Sequence, residues 1–115
     1  MIDIENTEIV FALSAVRRAA LLAVEVQREL ALDALAKSDL SPVTVADYAA
    51  QALTACALER AFPADPLIGE EDSSAVRMES GAAMLASVTK YLDRFEPGAS
   101  EDAICDWIDA GAGTA

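Results

Sequence analysis

The sequence predicts a mainly helical α+β chain, with about four helices and one or two short strands. Three observations carry this. Apolar residues recur at helical spacing, as at Ile9, Leu13, Val16, Ala20, Ala23 and Leu30. Breakers punctuate those runs at Ser41-Pro42, Phe62-Pro63, Asp65-Pro66 and Glu96-Pro97-Gly98. Between two helical runs lies a short apolar stretch, Leu67-Ile68, stopped by Gly69, with the length of a strand and not of a helix.

Taken in order, Asn6 or Thr7 can cap a first long helix with Glu8 in its first turn, ending between Leu30 and Asp33. Arg17, Arg18, Glu25, Arg28 and Glu29 form its polar face; Arg28 softens the like-charge pair Glu25 and Glu29. Leu35-Ala36-Lys37 is a second candidate strand, followed by a turn into Pro42. The second helix begins after Val43, with Thr44 as a candidate cap and Asp47 in the first turn, and ends at Phe62-Pro63. Its apolar face is Val45, Tyr48, Ala49, Ala52, Leu53, Cys56 and Ala57. A strand over 66–69 follows, then a polar loop over 73–80. A third helix covers Ala82 to Phe95. Ser100 caps a short fourth, with Ile104, Trp107 and Ile108 inward and Gly111 at its end.

At 115 residues the chain is at most one domain. A hydrophobic share of 54% argues against disorder, although much of it is alanine, which favours helices more than it fills cores. Eight Lys and Arg stand against twenty Asp and Glu, a net charge of −12. Such a surface is a poor match for nucleic acid or an anionic membrane, yet a small phosphorylated substrate stays open because bound metals reverse the local field. With no histidine, Ser-His triads and imidazole acid–base chemistry are excluded. Cys56 and Cys105 both fall in helical patterns and are expected as buried free thiols. The start, Met1-Ile2-Asp3-Ile4-Glu5, lacks the positive region of a signal peptide, and Ala19 to Val24 is too short to span a bilayer. A cytoplasmic protein without membrane partners is expected.

The chemistry concentrates in Ser41 to Asp72. An acid at a helix start, Asp47, and the run Glu70-Glu71-Asp72 at a strand end converge if the strand packs beside that helix start. Clustered carboxylates repel unless a cation joins them, and hard oxygens suit magnesium. Each residue also has a plain reading. Asp47 or Thr44 can simply cap the helix, and the acid run can be a solvated turn. Ser73 and Ser74 have no base to activate them.

The segments Lys37-x-Asp39-x-Ser41-Pro42-Val43-Thr44-x-x-Asp47-Tyr48-Ala49-Ala50-Gln51 and Phe62-Pro63-x-Asp65-Pro66-Leu67-Ile68-Gly69-Glu70-Glu71 resemble the metal-dependent, lithium-sensitive phosphatase superfamily of inositol monophosphatases and fructose 1,6-bisphosphatases. The Ser-Pro-Val-Thr and Asp-Tyr-Ala-Ala-Gln wording, and the acidic helical insert ending in Cys105-Asp106-Trp107-Ile108-Asp109, look most like its 3'(2'),5'-bisphosphate nucleotidase branch. The resemblance runs from the first helix to about Gly111. It implies the N-terminal part of a layered α/β phosphatase domain over 1–115. It implies Glu70 as a magnesium ligand and Asp47 as the residue that orients or deprotonates the attacking water, with Thr44 and Glu71 in support. The complete enzymes of the family use two or three magnesium ions, following general multi-metal logic, on a small phosphorylated nucleotide.

The family's next metal motif, Asp-Pro-Ile-Asp-Gly-Thr, is expected just after the fourth helix, beyond Ala115. The 115 residues alone are therefore expected to bind magnesium weakly or not at all and to be inactive. Helix faces that cover a sheet in the family would lie open here, which favours self-association. Two other functions stay open: a non-catalytic helical interaction module, and inositol phosphate hydrolysis.

Overall fold

The computed structural model describes residues 6–34 and 40–111. Its elements are α1 (Thr7–Ala34), α2 (Pro42–Ala61), α3 (Ser74–Arg77), a 3₁₀ turn (Glu79–Gly81), α4 (Ala82–Asp93) and α5 (Glu101–Ala110). The four expected helices are present. The loop expected over 73–80 instead holds α3 and the 3₁₀ turn.

The α+β expectation is corrected: among the described residues there is no strand. A strand needs a row of backbone partners. Around Leu67-Ile68-Gly69 the recorded backbone bond outside helices is from Gly69 N–H to the Gly111 carbonyl (2.7 Å), and Ile68 is exposed. The candidate strand near Leu35 lies outside the described residues.

Helix α2 is the centre, packed against α1, α4 and α5. Its buried residues are Val45, Ala46, Tyr48, Ala49, Ala52, Leu53, Ala55 and Cys56. The small alanines let neighbouring helices approach closely, and apolar contact on several sides is what a central helix requires. Leu22, Val26 and Leu30 of α1, Val88, Tyr91 and Leu92 of α4, and Ile104 and Ile108 of α5 complete the core. Both cysteines are buried and free. Phe11 meets Phe62 edge-on at 5.3 Å, fastening α1 to the end of α2. The Trp107 indole N–H donates to the Glu59 carboxylate (2.9 Å), linking α5 to α2.

The face of α1 is also corrected. Leu13 and Val16, expected inward, are 60% and 68% exposed, while Leu22 and Val26 are fully buried. Glu25 and Glu29 also pair with Arg94 from the end of α4, a partner outside the helix. Arg94 grips Glu29 with both terminal guanidinium nitrogens, reaches Glu25 at 3.5 Å and lies over the Tyr91 ring. Among the described residues no helix is long and apolar enough to cross a membrane.

Candidate functional site

Helix α2 starts earlier than its sequence pattern suggests. Ser41 is the cap, its hydroxyl accepting from Thr44 N–H (3.3 Å), and Pro42 takes the first helical position, where its missing N–H costs nothing. Thr44 is therefore inside the first turn and is not the cap. Asp47 is the sixth helical residue, beyond the first turn, which holds no acid. It is exposed and has no capping role. The helix-start explanation for this carboxylate is removed.

Four residues after Asp47, on the same side of α2, comes Gln51. Its Nε2 donates to the carbonyls of Glu71 (2.8 Å) and Ile108 (2.7 Å), and its Oε1 accepts from Glu71 N–H (3.1 Å). This side chain ties the acid run to α2 and to the end of α5. Tyr48 lies close enough to feel the run: burial, reinforced by the Glu71 and Asp72 carboxylates, pushes its phenol above the ordinary range. Helix α2 thus meets the acid run through Tyr48 and Gln51.

The acids of the run are used differently. Glu70 is exposed and Glu71 half-buried. The Asp72 carboxylate accepts from the Ser74 hydroxyl and from Ser74 N–H (2.9 Å), and these bonds, the hydroxyl foremost, hold it below the usual carboxylate range. Asp72 serves the start of α3.

One cluster escaped the sequence reading. Ser73, fully buried, donates through its N–H and its hydroxyl to the two Asp109 oxygens, each at 2.7 Å. Arg77 Nε donates to Ser73 Oγ (2.6 Å), and its Nη2 reaches Asp109 and Asp106 at 3.3 Å. Burial pushes the Asp109 carboxyl up, but Ser73 and Arg77 outweigh it and hold the group below its ordinary value. Ser73 and Asp109 are 36 residues apart, so no local spacing signals the pair. Gln51 was equally unmarked, although it stands inside a segment that the resemblance quotes.

The donor type suits magnesium, since Asp47 and Glu70 offer hard carboxylate oxygens. The number falls short: among the described residues no three acidic or thiol groups come together as a metal site. A groove of about 810 Å³ between the end of α2 and α5, lined by Leu58, Pro66, Leu67 and Trp107 among others, contains neither acid.

No family model matches the chain. The 3'(2'),5'-bisphosphate nucleotidase of Schizosaccharomyces pombe is 48% identical over 71 residues, 57% of this chain and 20% of that protein. The chain is a homologue of the 3'(2'),5'-bisphosphate nucleotidases. A putative mitochondrial nucleotidase of Arabidopsis thaliana is 39% identical over 88 residues, 74% of this chain and 22% of that protein. Nucleotidase 2 of Candida albicans is 39% identical over 89 residues, covering 72% and 25%. The chain thus spans about a fifth to a quarter of the length of the curated relatives it matches. The chain holds Asp47 and Glu70 but no complete metal cluster among its described residues.

Proposed function

We propose that this chain is the N-terminal part of a magnesium-dependent 3'(2'),5'-bisphosphate nucleotidase, which hydrolyses adenosine 3',5'-bisphosphate to AMP and phosphate. The observation that carries it is the likeness to proteins of that name, 48% in the fission-yeast case. The placement of Asp47 supports it: an exposed carboxylate without a capping role sits one helical turn before the residue that grips Glu71. In this reading Glu70 supplies one magnesium oxygen, Asp47 orients the attacking water and takes up its proton, and Thr44 and Glu71 support them. Magnesium supplies charge stabilisation at the phosphoryl group. The location is cytoplasmic; two buried free thiols suit a reducing compartment.

Two assays test this. The purified chain alone is expected to release no measurable phosphate, because its described residues hold no complete metal set; robust magnesium-dependent release would contradict that. Joined to the remainder of the fission-yeast relative, the chain should give magnesium-dependent phosphate release. Asp47→Asn should lower kcat of that chimera about 10²- to 10⁴-fold, and Glu70→Gln should raise its magnesium requirement. A chimera indifferent to both changes would overturn the reading.

A second reading, a helical interaction module, is favoured by one observation. Val10, Leu13, Val16, Leu21 and Val24 of α1 are each 44% exposed or more.

A further inference from the structure

Gln51 carries no charge, yet three stretches of chain meet on its carboxamide. It offers an acceptor to Glu71 N–H and a donor to the Glu71 carbonyl, reproducing with a side chain the two-bond pairing that a neighbouring strand residue makes. The same nitrogen donates to the Ile108 carbonyl (2.7 Å) near the end of α5, which also accepts from Gly111 N–H (3.2 Å).

The surrounding backbone is shaped for this side chain. A Cβ on Gly69 would lie 2.4 Å from Gln51 Oε1, and a Cβ on Gly111 would lie 2.6 Å from its Nε2. Gly69 N–H in turn donates to the Gly111 carbonyl (2.7 Å). Either glycine could take a side chain only by driving the carboxamide away, which would break both Glu71 bonds and leave the Ile108 carbonyl only its bond from Gly111 N–H.

We propose that Gln51 is the positioning residue for Glu70: by locking the Glu71 peptide to α2 and to the end of α5, it fixes the backbone from which the Glu70 carboxylate projects, beside the face that carries Asp47. This rests on the reading of Glu70 as a metal ligand. Groups that orient a metal ligand without touching the metal typically matter about 10- to 100-fold in affinity. Glutamine suits the role better than glutamate, because a carboxylate has no donor for the two carbonyls that Nε2 serves.

The test uses the chain joined to the remainder of the fission-yeast relative and ¹⁵N-labelled in its own part, with Mn²⁺ as the paramagnetic probe of a magnesium site. Gln51→Leu and, separately, Gly69→Ala should speed hydrogen exchange at the Glu71 amide about tenfold, while Leu53 and Cys56 amides in α2 keep their protection. Mn²⁺ should broaden resonances of residues 69–71 in the unaltered chain, and both variants should need about 10- to 100-fold more Mn²⁺ for the same effect. Faster Glu71 exchange with unchanged Mn²⁺ broadening would overturn the positioning role and leave Gln51 a structural clamp. Glu70→Gln separates the two claims: it should abolish the localised broadening, and if it does not, the ligand reading fails instead. Gly69→Ala should do no further harm in a Gln51→Ala background, where the obstructing carboxamide is gone. A full additional effect there would overturn the interlock.

Discussion

The most informative single residue is Asp47, because its surroundings give it nothing structural to do. With Ser41 as the cap, it lies outside the first turn of α2 and stays exposed. Asp109 is the opposite case, a carboxylate fully occupied by Ser73 and Arg77. Its pKa is lowered in the fold from an ordinary value of 3.8. The stabilisation is therefore complete above that value and drains away as pH falls through the folded pKa. Asp109→Asn should lower the melting temperature at neutral pH, and the gap from the unaltered chain should close in acid. A gap that widens in acid would contradict this. Asp47 and Glu70 were both legible as candidates, from an acid near a helix start and an acid run after a glycine. Gln51 and Asp109 were not. Their partners come from distant parts of the chain, and an uncharged amide carries no chemical signature on its own.

At the scale of elements, helix boundaries were more legible than helix faces. Pro63 ends α2 and Ser100 caps α5 through Ala103 N–H (3.1 Å), both as the sequence suggests. The start of α2 is masked in the sequence, since Thr44 and Asp47 imitate a capping box three residues inside the true cap, Ser41. Ser41→Ala should cost about 1 kcal/mol, read as a lower urea midpoint with an unchanged slope. Thr44→Ala should cost less, because only its backbone N–H joins the cap. In α1, large apolar residues occur on both sides of the helix, and periodicity does not say which side faces α2. Leu22→Ala should therefore cost about 2–5 kcal/mol, whereas Leu13→Ala should stay within about 0.5 kcal/mol. Similar losses at the two sites would show that α1 packs on the other face. The missing strand has a physical cause of the same kind. Leu67-Ile68 has a strand's composition, but composition supplies no neighbouring chain to pair with.

For the whole molecule, the 14.6 Å radius of gyration exceeds the roughly 13 Å of a compact chain this long. The long dimension is 48 Å, close to the roughly 42 Å length of 28 helical residues. Helix α1 thus sets the shape, with Val10, Leu13, Val16, Leu21 and Val24 exposed along it. We expect the chain to associate with itself through this stripe, against the repulsion of a −12 charge. Light scattering should show a mass that rises with concentration and rises further with added salt, which screens the repulsion. Leu13→Glu combined with Val16→Glu should return the mass to that of the monomer. A monodisperse monomer at all concentrations and salt levels would contradict the expectation.

Trp107 is the sole tryptophan of the chain. It is half-buried on α5, bonded to Glu59 of α2, and directly precedes the residue whose carbonyl Gln51 holds. Its intrinsic fluorescence is therefore a built-in gauge of α5 docking. If α5 lifts from α2, the indole loses its carboxylate neighbour and enters water, and its emission should move to longer wavelength. The seating of the Gly69–Glu71 segment can then be followed optically, in real time and without a label.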